Sequence, residues 1–261
     1  MNYSKVFLDS IGYELAPNVV TSQALEARVL PVYEKLGLAP GQLEGLTGIR
    51  ERRWWDPGYK LSEGAIKAGL VVSCESAREI NESMIASMLA TPTMDHFKLS
   101  LATLTGGSGA VAVLITDGSF KKGGHRLLGG AYQAEPKHHE LCRWYRDEMS
   151  TDAAAVLKYG TGLGRRTFDA MLKALSWSGE VIDKVICHQV GGAHRSSILG
   201  ALGISETKDF STYEYLGNIG TVSVPITAAL ADEREFLAKG DRVAFLGIGS
   251  GLNCLMLGWE W

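Results

Sequence analysis

The chain has 261 residues, 46% of them hydrophobic, enough apolar material for a large core in one or two domains. Its formal net charge of −3 gives no global attraction to nucleic acid, and basic pairs such as Arg52-Arg53, Lys121-Lys122 and Arg165-Arg166 are short enough to be solvated surface. No apolar run approaches the ~18 residues of a membrane span, and the start has no apolar signal core, so a soluble, cytoplasmic protein is expected.

In chain order, apolar runs of strand length recur at Val6 to Leu8, Leu70 to Cys74, Ala110 to Ile115, Val185 to Cys187, Val243 to Leu246 and Leu252 to Leu257. Their β-branched content and glycine boundaries predict buried strands. The clearest helical pattern runs from Thr151, a plausible N-cap, to about Leu175, with Leu157, Phe168, Met171 and Leu175 on one face. Shorter helices are expected over Ser196 to Leu199 and from Thr221 onward. Strands alternating with helices predict an α/β fold.

Two segments echo each other. "TGGSGAVAVLITDG" (105–118) and "GIGSGLNCLMLGW" (247–259) each place a Gly/Ser-rich turn before an apolar strand near the end of one part of the chain. This suggests an internal duplication, with halves at 1–118 and 126–261 and the polar stretch "DGSFKKGGHR" (117–126) as linker. Nucleotide-binding readings of the glycines fail on context. "GTGLG" (160–164) lies inside a helical pattern, and "GGSG" and "GIGSG" precede strands, whereas a phosphate-cradling loop follows a strand and opens a helix. Cys74, Cys142, Cys187 and Cys254 have no CxxC spacing, and the neighbours His138 and His139 have no accompanying ligand pattern, so no metal site is expected.

His188 ends a predicted strand and is followed by Gly191, Gly192 and a helix, the kind of strand end where ligands gather in α/β sheets. Two readings stand: a core histidine bonded to backbone, or a group facing a ligand. Asn218, in the turn Gly217-Asn218-Ile219-Gly220, is equally open: a residue that tolerates a tight turn, or an amide aimed at a reacting oxygen. Cys187 alternates with His188 along the strand, so a thiolate–imidazole pair is not expected there. Together, His188, Asn218 and "GIGSG" suggest a centre that binds a developing oxyanion.

These motifs resemble the thiolase-like condensing enzymes of the β-ketoacyl-ACP synthase III type, and most closely the branch that joins two fatty acyl-CoAs head to head in olefin biosynthesis. The matching stretches are "LTGIRERR" (46–53), "LVVSCESARE" (70–79), "LATLTGGSGAVAVL" (101–114), "VICHQVG" (185–191), "LGNIGTVS" (216–223) and "FLGIGSGLNCLMLGW" (245–259). The resemblance implies a duplicated αβαβα thiolase architecture and a homodimer. It implies an acyltransferase that performs Claisen condensation on acyl-CoA or acyl-carrier-protein thioesters without a cofactor. His188 and Asn218 would be the catalytic pair, and Gly249, Ser250 and Gly251 the loop at the acyl oxyanion.

One departure is large. The family's nucleophilic Cys and, in the head-to-head branch, its glutamate base belong to a segment with no counterpart here, because "LSEGAIKAG" (61–69) runs directly into Leu70. None of the four cysteines matches the nucleophile, which is therefore unassigned, and the first half is incomplete. His194 is a smaller departure, standing where related enzymes tend to have Asn. Three accounts are open: the molecule carries a segment absent from this sequence, the sequence carries a true deletion, or the chain is an inactive relative that binds thioesters or a partner. Excision would expose apolar surface and strand edges. The first account is therefore favoured, with the expectation that Gly69 and Leu70, or a pair within a few residues, are not joined by a normal peptide.

Overall fold

The computed structural model describes residues 1–3, 6–59, 73–116, 124–145 and 148–261; the expected break at Gly69–Leu70 lies outside them. Eleven strands are described: β1 (Phe7–Leu15), β2 (Asn18–Thr21), β3 (Glu51–Trp54), β4 (Ser73–Glu75), β5 (Gly109–Thr116), β6 (His125–Ala134), β7 (Cys142–Tyr145), β8 (Glu148–Thr151), β9 (Lys184–Cys187), β10 (Arg242–Gly249) and β11 (Asn253–Glu260). The α-helices are α1 (Ser22–Arg28), α2 (Leu30–Leu36), α3 (Gln42–Thr47), α4 (Arg78–Ala90), α5 (Met94–Leu104), α6 (Ala153–Leu175), α7 (Gly192–Leu202), α8 (Tyr213–Leu216) and α9 (Ser223–Glu233).

Seven strands form one sheet in the order β4-β5-β1-β6-β11-β10-β9. In each half the final strand sits antiparallel beside the first: β5 pairs with β1 from Leu15↔Gly109 to Phe7↔Thr116, and β11 pairs with β6 from Asn253↔Ala134 to Glu260↔Arg126. The segments that echo each other in sequence thus occupy like places in the sheet. The halves meet where β1 pairs with β6 at Phe7↔Arg126 and Leu8↔His125, and the line continues through Leu127 N–H to Val6 O, Tyr3 N–H to Leu128 O and the Asn2↔Gly129 bridge. Beyond β10 the second half adds β9 in parallel, whereas among the described residues β4 pairs with β5 alone.

Apolar residues divide between the sheet's two faces because successive strand residues point opposite ways. Val185 and Cys187 of β9 join Leu246, Cys254 and Met256 beneath α6 and α7, where Leu163, Phe168, Met171, Ile198 and Leu199 are buried. Ile186 and Val243 face the other way, onto Ala228 and Ala231 of α9. The remaining face of α9 packs through Ile226 and Leu230 against Val111, Leu216, Ile219 and Val222. A helix with small and apolar residues on nearly every side belongs inside a protein, and α9 touches strands of both halves. Helices α1, α2, α4 and α5 enclose a further core around Leu25, Tyr33, Trp54, Met88 and Phe97.

Two expectations change. Thr151 is not the cap of α6, because it is the last residue of β8, paired with Cys142; the Asp152 carboxylate accepts the Ala155 N–H instead, at 2.9 Å. His125 and Arg126, assigned by composition to the linker, open β6. That strand escaped the sequence reading because Gly129 and Gly130 interrupt it. The backbone needs both: a Cβ on Gly129 would stand 2.1 Å from the Met1 carbonyl oxygen, and one on Gly130 would stand 2.2 Å from that of Met256.

Phe168→Ala empties a buried site and is expected to lower the unfolding free energy by about 3–5 kcal/mol. Leu99→Ala, at a side chain 40% exposed, should change it by less than about 1 kcal/mol. Equal losses in denaturant titrations would contradict this account of the core.

Candidate active site

His188 follows β9 directly, and its backbone N–H continues the parallel ladder by donating to the Leu246 carbonyl at 2.9 Å. Its ring lies at a narrow crevice shared with Cys187, His194, Ile198, Gly247 and Ile248, with free space of about 10 Å³, near the lower limit for one water. The glycine after this loop has a steric cause. At Gly191 φ is 153°, and a Cβ would lie 2.6 Å from the Thr47 carbonyl oxygen, so the chain passes over the end of α3 only without a side chain.

His188 retains some solvent access, yet burial pulls its pKa down to about 4, with the neighbouring His194 adding to the effect. Burial also brings His194 to about 4, and its Nδ1 is buried without a hydrogen-bond partner. At neutral pH both rings are uncharged. A neutral imidazole keeps one N–H donor and delivers no net charge, which suits a thioester or enolate oxygen.

Asn218 lies in the turn after α8. Its N–H donates to Thr105 O and its carbonyl accepts from Gly107 N–H, both at 2.9 Å. The side-chain Oδ1 accepts the Gly220 N–H at 3.1 Å, leaving Nδ2 with no hydrogen-bond partner among the described residues. The fit against the first half is tight: a Cβ on Gly107 would be 2.1 Å from Leu216 O.

Gln189 connects the two loops. Its buried side chain donates through Nε2 to Cys187 O at 2.7 Å, while Oε1 accepts the N–H groups of Thr212 (2.9 Å) and Tyr213 (3.0 Å). One amide therefore anchors the strand end that bears His188 to the start of α8, which leads straight into the Asn218 turn. No local pattern in the sequence announces this role, since the two N–H groups it accepts from, on Thr212 and Tyr213, lie more than twenty residues away.

The expected loop at Gly249, Ser250 and Gly251 is the turn joining β10 to β11. Gly249 pairs with Asn253, and Asn253 Nδ2 donates to Ser250 O at 2.9 Å. The crevice reaches Gly247 and Ile248, and neither Asn218 nor residues 249–251 line it.

None of the cysteines stands as an activated nucleophile. Burial raises the Cys187 thiol well above its ordinary pKa, and the nearby Asp209 carboxylate adds to this. Burial also raises Cys254, to about 11, and Cys74, the latter with Glu75 and Glu14 contributing. Cys142 lies on the β7–β8 hairpin, its sulfur accepting from the Thr151 hydroxyl at 3.4 Å.

Residues 172–261 match the family described as 3-oxoacyl-[acyl-carrier-protein (ACP)] synthase III C terminal. An acyl-CoA:acyl-CoA alkyltransferase of Shewanella oneidensis is 43% identical, with 100% of each chain covered. That alignment runs over 349 positions against the 261 residues here, so the relative carries residues that face a gap in this chain. A Xanthomonas campestris protein of the same name is 27% identical, again over 100% of both chains. Among solved structures, cerulenin-bound Xanthomonas campestris OleA superposes with a TM-score of 0.94 at 27% identity, covering 100% of this chain and 98% of that one. FabH, a 3-oxoacyl-(acyl carrier protein) synthase III of Xanthomonas oryzae, gives 0.93 at 27% identity with 100% of both covered.

Both histidines have folded pKa values below the ~6.5 of an unfolded chain, so between pH ~6.5 and ~4 the unfolded state binds more protons. Their contribution to stability is complete above pH ~6.5 and is lost as pH falls through that window. Replacing one of them, as in His194→Gln, is expected to flatten the fall of the thermal midpoint between pH 6.5 and 4 relative to wild type; parallel curves would contradict this. Gln189→Leu leaves two buried N–H groups unpaired and is expected to cost about 1–3 kcal/mol for each in denaturant melts, whereas an unchanged midpoint would refute the anchoring role.

Proposed function

Because the chain belongs to the acyl-CoA:acyl-CoA alkyltransferase branch of the thiolase-fold condensing enzymes, we propose that it joins two acyl-CoA molecules by Claisen condensation. In this reaction the α-carbon of one thioester loses a proton and attacks the carbonyl carbon of an acyl group held as a thioester. A carbon–carbon bond forms, the carbon–sulfur bond of the attacked group breaks, and a thiolate departs. The product is a β-ketoacyl thioester.

The attacking partner needs stabilisation where negative charge gathers, on its thioester oxygen. His188 and Asn218 are assigned to that oxygen, one through an imidazole N–H and the other through the side-chain amide N–H. What supports the assignment is an uncharged His188 ring and an Asn218 Nδ2 that has no hydrogen-bond partner among the described residues, on loops joined by Gln189. Neutral donors suit this task, because a cation at the same place would stabilise bound carboxylates and phosphates indiscriminately. The Gly249 to Gly251 turn is assigned to the oxyanion of the attacked acyl group.

The thiol that carries that acyl group is not among the four cysteines considered above. We assign it to the segment with no counterpart in this sequence, which the favoured account places in the molecule, and the residues described here to the enolate-binding part of the reaction. We further assign the halves to residues 1–118 and 126–261, no cofactor, and a homodimer as the working form.

In a molecule that carries the nucleophile-bearing segment, His188→Ala and Asn218→Ala are each expected to lower the formation of β-ketoacyl product by about 10²–10³-fold, measured with acyl-CoA and free-thiol release. Near-normal turnover in either variant would reject that residue's assignment. Labelling with radioactive acyl-CoA tests the missing thiol directly: covalent, thiol-sensitive label on a chain with only these four cysteines would overturn its assignment to the absent segment.

A further inference from the structure

We infer that Glu75, together with Ser73 on the same face of β4, is a positioning residue that holds the Asn218 turn from the opposite half of the fold. The inference rests on the reading of Asn218 as a donor to the thioester oxygen. It starts from Thr221, three residues past Asn218. Glu75 Oε1 accepts from both the Thr221 N–H, at 3.0 Å, and the Thr221 Oγ1–H, at 2.6 Å. The Ser73 hydroxyl is also bonded to Thr221 Oγ1. Since the Thr221 hydroxyl proton is already given to Glu75, Ser73 is the donor in that pair. Residues two apart on a strand project from one face, so β4 presents both groups together.

The carboxylate also lies against the turn itself. At Gly220 φ is 56°, and a Cβ there would be 2.8 Å from Glu75 Cδ and Oε1. The N–H of this same Gly220 is taken by Asn218 Oδ1, the contact that turns the amide and leaves Nδ2 available. Glu75 therefore fixes the two residues whose backbone sets the orientation of the Asn218 side chain. A carboxylate acceptor makes these bonds stronger than a neutral one would.

The clasp is held in turn from behind. Trp55 Nε1 donates to Glu75 O at 3.2 Å, and Ser73 to Glu75 pair with Val111 to Gly109 of β5. Gln189 secures the chain before the Asn218 turn and Glu75 secures it after. The first anchor comes from the second half and the other from the first half, so the orientation of Asn218 depends on both halves being in place.

The test uses the full chain, with amide hydrogen exchange at Gly220 and Thr221 and with binding of an acyl-CoA ketone analogue in which CH₂ replaces the thioester sulfur. Glu75→Ala is expected to speed exchange at both amides and to weaken analogue binding, each by about tenfold, with core amides of α6 unchanged. Glu75→Gln keeps an oxygen acceptor and should stay within about threefold of wild type. Thr221→Val removes only the hydroxyl and gives a milder lesion, readable if Glu75→Ala does not fold. Wild-type exchange in Glu75→Ala, or a Glu75→Gln variant as impaired as Glu75→Ala, would overturn the positioning role. If the unsubstituted chain failed to bind the analogue, the condensation reading would fall, while the exchange measurements would still decide whether the clasp exists.

Discussion

The backbone contact between Thr105–Gly107 and Leu216–Asn218 is the constraint on which the rest of the site depends. Two hydrogen bonds of 2.9 Å tie these segments together, and there is no room for a side chain on Gly107. Gly217, at φ 70°, faces the same limit, since a Cβ there would lie 2.5 Å from Thr105 O. Two loops more than a hundred residues apart, one from each half, are thus brought into direct main-chain contact. Side chains then refine the arrangement, but they act on a turn whose location the two backbones already determine.

The electrostatics of the site follow from burial more than from charge pairing. His188 and His194 share a crevice with mainly apolar walls, and each is kept neutral by the cost of placing a cation there. The nearest well-formed ion pair, Arg195 with Asp209 at 2.6 Å, is spent on structure: it joins α7 to the segment that follows it, and Asp209 sits beside Cys187. That buried carboxylate is one reason the adjacent thiol remains protonated. Reactivity at this strand end is therefore confined to the imidazoles.

The parts of the fold visible in the sequence were those with local causes. The runs at 110–115, 185–187 and 243–246 fall inside β5, β9 and β10, because β-branched residues between glycines are hard to place anywhere but a buried strand. The 3.6-residue period of α6 was equally plain. Strand β6 was hidden by glycines whose reason is the close approach of other backbone segments, and the true cap of α6 was masked by a hairpin that uses Thr151 for pairing. In the site, strand-end and turn chemistry brought His188 and Asn218 forward as candidates, each with a purely structural reading beside the functional one. Gln189 and Glu75 were not legible, since each acts on amides distant in sequence and neither residue type signals such a task on its own.

The seam between the halves has a mechanical consequence. Strand pairing there, at Phe7↔Arg126 and Leu8↔His125, is carried on by Val6, Tyr3 and Asn2 against Leu127 to Gly129, so one sheet spans both halves. Load passing from one half to the other is shared by that seam, by α9, packed against strands of both, and by the turn that carries Asn218. A sliding motion of the halves would therefore strain the Asn218 turn together with the sheet, which ties the geometry of the candidate site to the relative placement of the two halves.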